Sequence, residues 1–181
     1  MRRKKLQRVK EEKFWADFCY FNLPDGVNEI PTFFKRVNFR LYNVDDEGLL
    51  RMVGYVRSIV QLDLDGTDIT NEGIRYLTQL ESLKELRLKE CRAIDNGCID
   101  FLCEIQSLEL LHLGGTEITP DGLEKIGCLK NLKLLLISAS EGEEEFLAKI
   151  EAALPPECEF LVNHKAYERK KTDDFSGFWS V

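Results

Sequence analysis

Residues 83–102 read LKELRLKECRAIDNGCIDFL, and the spacing of their apolar side chains changes halfway along. Leu86 and Leu88 alternate with charged residues, as in a strand with one buried face. Ile94, Ile99 and Leu102 then recur at helical spacing. Between the two halves, Cys91 and the Asp95-Asn96-Gly97 cluster mark a turn and a helix start. One short segment therefore encodes a strand, a tight turn and a helix.

The flanking sequence repeats this unit. Aligned on their first apolar position, the units begin at Phe34, Ile59, Leu83, Leu108 and Leu132. The predicted strand cores are Val37/Phe39, Leu62/Leu64, Leu86/Leu88, Leu111/Leu113 and Leu135/Ile137. Asp45, Thr70, Asp95 and Thr119 follow the first four as predicted helix N-caps, because their oxygens can accept orphan backbone N–H groups. Pro120 suits the first helical position, where no N–H is needed. Leu49/Met52/Val53, Ile74/Leu77, Ile99/Leu102 and Leu123/Ile126 would be the buried helix faces. Glu157–Val162 reads as one more strand after a helix stopped by Pro155-Pro156. The period and order of elements are those of a leucine-rich repeat. The expected fold is an α/β leucine-rich-repeat solenoid: a right-handed βα superhelix with a parallel sheet of about six strands on the concave face and helices on the convex face.

Cys91 followed by Ile94-Asp95-x-Gly97 resembles the cysteine-containing, ribonuclease-inhibitor-like form of the repeat found in F-box protein arrays, although no F-box is legible ahead of it. A narrower likeness rests on Phe14-Trp15-x-x-Phe18-Cys19, on Leu129-Lys130-Asn131-Leu132-Lys133-x-Leu135-x-Ile137-Ser138, and on the helix ending Ala153-Leu154-Pro155. There the chain resembles the family of mitochondrial ATP synthase coupling factor B and the distal membrane-arm assembly proteins. At Ala139-Ser140-Glu141 it departs from that family's Asp-Leu-Pro. The resemblance implies a small repeat protein that docks on other proteins in energy-transducing complexes or their assembly, in mitochondria.

Composition bounds the rest. A net charge of −7 argues against general nucleic-acid affinity. No apolar run approaches the roughly 20 residues that span a bilayer. The basic start leads into polar residues, the expected pattern of a chain without a secretory signal. The expected protein is intracellular and soluble, cytoplasmic unless the mitochondrial likeness is functional. The six cysteines contain no Cys-x-x-Cys pair and read as reduced thiols. Residues 1–33 are expected to be a basic arm (residues 1–10) and an aromatic N-terminal cap (residues 11–23, with Phe14, Trp15, Phe18, Tyr20 and Phe21), since a solenoid must cover the apolar end of its first repeat. Residues 34–162 are the repeat domain, and residues 163–181 a C-terminal tail bearing Phe175, Phe178 and Trp179.

Catalysis needs a nucleophile with its base, paired carboxylates in a cleft, or a metal site. Only His112 and His164 are present as histidines, and His112 is expected as an exposed imidazole between Leu111 and Leu113. An enzyme centred on it is the least favoured reading. Gly114-Gly115-Thr116 occupies the columns of Asp65-Gly66-Thr67 and Lys89-Glu90-Cys91, so its glycines belong to the repeat's turn and not to a phosphate loop. Cys103 and Cys128 share a column and read as neighbouring structural thiols, with a redox-switched disulfide as the alternative. No cofactor or metal ligand set is expected.

Function is therefore sought on the strand face. Equivalent positions should stack about 4.8 Å apart into ladders. The central ladder is Asn38, Asp63, Arg87, His112 and Leu136. Arg36, Gln61, Glu85, Leu110 and Leu134 flank it on one side, and Arg40, Asp65, Lys89, Gly114 and Ser138 on the other. Asp63–Arg87 and Asp65–Lys89 are the expected cross-strand pairs, and Leu110, Leu134 and Leu136 an exposed patch to be covered by a partner or by the tail. The expected activity is protein–protein docking or assembly of a larger complex, with an inhibitor or immunity-type protein as the alternative. The partner is expected to be a protein, up to a multisubunit complex, with a further surface contact through the basic arm. No specific nucleic acid is expected.

Overall fold

The computed structural model describes residues 2–23, 29–40 and 42–167. A long helix, α1 (Arg2–Asn22), precedes the first strand, β1 (Phe33–Asn38). Then come α2 (Asp46–Val53), β2 (Ser58–Asp63), α3 (Asn71–Leu77), β3 (Ser82–Arg87), α4 (Ile99–Glu104) and β4 (Leu110–His112). The order continues with a 3-10 helix (Gly122–Cys128), β5 (Leu134–Ile137), α5 (Glu144–Ala153), β6 (Glu159–Val162) and β7 (Lys165–Ala166). The strands lie in one sheet in chain order, parallel from β1 to β6. Their register is that of the repeat: Val37, Leu62, Leu86, Leu111, Leu135 and Phe160 face one another in turn. These side chains are buried with Leu49, Met52, Ile74, Leu77, Leu102 and Ile126 from the helical layer, forming one continuous core. The fold is a leucine-rich-repeat solenoid.

Helix starts follow the capping logic in three units of four. Asp45 accepts from the Gly48 N–H, Thr70 from Glu72 and, at the short 3-10 turn Asn96–Cys98 that leads into α4, Asp95 from Gly97. The fourth unit differs from expectation. Thr119 does not cap, and the helix opens two residues later behind Asp121, without a side-chain cap. Pro120 consequently lies ahead of the helix. The Thr119 hydroxyl is engaged elsewhere, accepting from Asn96 Nδ2 at 2.8 Å.

That bond is one step of a clasp between repeats. Asp46 accepts from the Thr70 backbone N–H (2.9 Å) and hydroxyl (2.7 Å). Asn71 accepts from the Asp95 N–H (3.1 Å) and donates to the Asp95 carboxylate (2.6 Å). Asn96 accepts from the Thr119 N–H at 3.0 Å. The residue after each N-cap thus holds the next repeat's helix start, until Pro120 fills its column. The clasp requires glycine on the receiving side. A Cβ at Gly73 would lie 2.5 Å from Asp46 Oδ1, and one at Gly122 only 2.1 Å from Asn96 Oδ1. Gly122→Ala should therefore push Asn96 out of the clasp and cost about 1–3 kcal/mol. Asn96→Ala should remove most of that penalty in the double variant, a coupling that a thermal-unfolding double-mutant cycle reads.

Both ends of the sheet are finished. The arm and aromatic cap form a single helix, with residues 4–13 exposed. Phe18 is fully buried against Phe34 (5.3 Å between ring centroids) and Phe39 (6.0 Å), and Phe14 stacks on it at 5.9 Å. At the other end, Asn163 and His164 both have positive φ (51° and 66°), as a tight hairpin turn requires, and β7 pairs antiparallel with β6. The sheet thus has a seventh strand where only polar tail was expected. Tyr167 packs on Phe160 at 5.3 Å. Phe175, Phe178 and Trp179, the expected cover for the leucine patch, lie outside the described residues.

The cysteines depart from expectation. Cys103 and Cys128 are joined in a disulfide, with Cα atoms 5.7 Å apart, so the all-thiol reading is corrected. Stacked repeats bring the ends of α4 and the 3-10 helix within bonding range, as the shared column implies, and the sulfurs are bonded as in the alternative reading. Cys91 and Cys98 are buried thiols. Burial pushes the Cys91 thiol up and Cys98 up to about 12, which removes them as nucleophiles at neutral pH.

Candidate functional site: the concave strand face

The ladders assemble as the repeat dictates. Asn38, Asp63, Arg87, His112, Leu136 and Leu161 stand side by side, and Arg36, Gln61, Glu85, Leu110, Leu134 and Glu159 form the row beside them. At the N-terminal end the flanking row is a hydrogen-bonded relay. Arg36 Nε donates to Gln61 at 3.1 Å, and Gln61 Nε2 donates to Glu85 at 2.7 Å.

The expected pairing of Asp65 with the Lys89 ammonium is replaced. Asp65 accepts from the Lys89 backbone N–H at 2.9 Å, while the ammonium lies 3.9 Å from Glu90. Arg40 serves both carboxylates, 3.9 Å from Asp63 and 4.0 Å from Asp65. Arg87 stays exposed. Burial, reinforced by repulsion from Asp63, raises the Asp65 carboxyl above its ordinary range. The turn closing this flank agrees with the reading of Gly114-Gly115: Gly66, Glu90 and Gly115 occupy one column at φ values of 70°, 60° and 74°.

His112 is the main correction on this face. It is only 7% exposed, and its Nδ1 has no hydrogen-bond partner among the described residues. The hairpin turn at β6–β7 brings His164 over it edge to face, 6.4 Å between ring centroids. A cavity of about 180 Å³ lies beside the pair, bordered by Lys89, Gly114, Leu136 and Ser138. The sequence signal that was missed is Asn163-His164 itself, a turn dipeptide after a strand. The geometry on the described residues is that of a buried imidazole beneath the β6–β7 turn.

Burial lowers the His112 pKa from its ordinary value. Arg87, His164 and Lys89 act in the same direction, and Asp65 opposes them. The native state therefore resists protonation more than the unfolded chain does. Its stabilising contribution is complete above about pH 6.5 and is lost as pH falls through the lower native pKa. Thermal midpoints should drop between pH 7 and pH 5.5 in the parent protein. His112→Gln should flatten that segment of the profile, measured by circular dichroism.

Beyond His112 the face turns apolar. Leu110, Leu134, Leu136 and Leu161 are half-buried, not fully exposed as expected, because neighbours one strand apart screen one another. They still form a contiguous strip on the side of the sheet away from the helices. At its border Glu109, just ahead of β4, binds Lys84 (2.7 Å) and Lys133 (2.6 Å), and these two ammonium groups lower its carboxyl to about 2. Among the described residues no group of His, Cys, Asp or Glu is placed to hold a metal ion. Among them, too, no helix is long and apolar enough to cross a membrane.

A sheet built this way defines a class of protein, the leucine-rich-repeat proteins, whose curved strand face presents one side chain per repeat at each ladder position. Comparison with protein families agrees: the leucine-rich-repeat model matches residues 57–77 and 104–127. Leucine-rich-repeat domains generally mediate protein–protein interaction and are typically non-catalytic.

Proposed function

We propose that this chain is a non-catalytic docking or assembly factor that engages a protein partner through the three concave ladders running from Arg36 to Leu136. One observation carries the reading. Among the described residues the parallel sheet is covered by helices on one face only, and its other face grades from an ordered charged relay at Arg36–Gln61–Glu85 to a strip of leucines. Parallel sheets are ordinarily covered on both faces, and an apolar strip rimmed by polar groups is the form of a protein contact. The resemblance to coupling factor B and the distal membrane-arm assembly proteins supports a multisubunit target. The Cys103–Cys128 disulfide favours a compartment where such a bond persists over the reducing cytoplasm.

Affinity purification from the native source tests this, using the parent chain and Arg36→Glu/Arg87→Glu, two exposed ladder positions. The parent should enrich several subunits of one complex, and the double variant should lose them at an unchanged melting temperature. Retention of every partner by the variant would refute the concave contact. Enrichment of a single stoichiometric target would replace the assembly role with an inhibitory one.

A further inference from the structure

The N-terminal helix carries a surface that none of the ladders uses. Packing on the solenoid begins at Phe14, and residues 4–13 ahead of it are exposed. They hold Lys4, Lys5, Arg8, Lys10 and Lys13 against Glu11 and Glu12, in a chain whose net charge is −7. The two ends of α1 turn their apolar side chains to opposite faces. Phe14 and Phe18, four residues apart, lie on the side that meets the core. Leu6 (61% exposed), Val9 (52%) and Tyr20 (81%) recur at helical spacing on the opposite side. Lys5 and Lys13 share that outward side, one turn before and one turn after Val9. Of the carboxylates bordering it, Glu12 is paired with Arg8 at 2.8 Å, and Asp17 lines the cleft between α1 and α2.

We propose that this outward face of α1 lies on an anionic lipid bilayer surface, with Leu6, Val9 and Tyr20 entering the headgroup layer and Lys5 and Lys13 against lipid phosphates. A helix of this kind lies in the interface without spanning it, and needs apolar side chains along one face with cations beside them. Residues 6–20 supply that line over about 21 Å, at 1.5 Å per residue. Tyrosine suits the headgroup level, because its ring is apolar and its hydroxyl stays wet. The acidic solenoid does not cancel the attraction. Lys5 stands about 14 Å along the helix ahead of Phe14. That exceeds the Debye length of about 8 Å at physiological salt, so most of the solenoid's carboxylates are screened from it. Shape separates this face from a protein contact. Apolar side chains in single file make no compact centre of the sort that carries a protein interface, whereas a fluid headgroup layer moulds to them.

The contact uses no ladder residue, so it can fail while the docking reading stands, and it leaves the concave ladders to a protein partner. Co-sedimentation of the full chain with vesicles tests it. Phosphatidylcholine vesicles containing phosphatidylserine should pellet the parent at least about tenfold better than phosphatidylcholine alone, and high salt should reverse the gain. Lys5→Glu/Lys13→Glu should lose at least about the same factor. Leu6→Gln/Val9→Gln should lose several-fold at unchanged charge, which separates insertion from plain attraction. All four positions are exposed, so melting temperatures should match the parent. Tyr20→Gln, farther along the same face, repeats the apolar test should the arm variants unfold. Equal pelleting by both vesicle types, or variants that pellet like the parent, overturns the proposal. Retention on immobilised polyglutamate without pelleting would assign the arm to an acidic protein, and overturns it equally.

Discussion

Phe18→Ala should lower stability by about 3–5 kcal/mol, the usual cost of deleting a buried aromatic. Phe18 has no exposed surface and links the N-terminal helix to the first repeat through Phe34 and Phe39. Its neighbours cannot close the gap easily, because Phe14 stacks from one side and Trp15 meets the ring edge-on at 5.5 Å. The damage should also be graded along the solenoid. Each repeat touches mainly its neighbours, so amides of β1 and α2 should lose protection against hydrogen exchange before those of β4 and β5. Equal loss of protection from end to end would show that α1 is not a cap but part of a single cooperative unit.

Reduction of the Cys103–Cys128 bond is expected to have the next largest effect. It closes a loop of 25 residues, for which the chain-entropy account gives about 3.5 kcal/mol. For a chain of this size that corresponds to a fall in melting temperature on the order of 10 °C. Cys103→Ser/Cys128→Ser should reproduce the fall and abolish any further response to dithiothreitol. The remaining thiols add a control, since burial raises both Cys91 and Cys98 and they should react slowly with alkylating reagents until the protein unfolds. A melting temperature that ignores dithiothreitol would mean that the bond contributes nothing.

The repeat was legible because it is written twice, in the period-2 spacing of the strand and the helical spacing behind it. Register, the inward-facing leucines and three of the four N-caps derive from that pattern alone. What escaped it depends on what stacking brings together. The clasp of Asp46, Asn71 and Asn96 joins residues a full repeat apart, and its sequence trace is the Asp/Asn that follows each of the first three N-caps shortly ahead of Gly48, Gly73 and Gly97. Thr119 read as a cap because its side chain has the right oxygen; the clasp took that oxygen, and Pro120 and Asp121 delayed the helix. The shared column of Cys103 and Cys128 gave their closeness, but not whether the two sulfurs stay thiols or join in a disulfide.

On the candidate site, ladder membership was readable and ladder chemistry was not. Position in a strand says which side chains share a face. It does not say that Arg40 reaches across to Asp63 and Asp65, or that the turn at Asn163-His164 closes over His112. Long side chains choose among several partners, and exposure is set by elements distant in sequence. The leucine strip was placed correctly but overestimated in exposure for the same reason, since adjacent rows shield one another at strand spacing.

Site-directed photocrosslinking tests the central claim most directly. A photoreactive residue at position 87, on the concave ladder, is compared with one at position 125, an exposed lysine of the helical layer paired with Asp100. Docking by the strand face predicts partner adducts from position 87, and none above background from position 125. Adducts formed from position 125 alone would place the contact on the convex side and contradict the account.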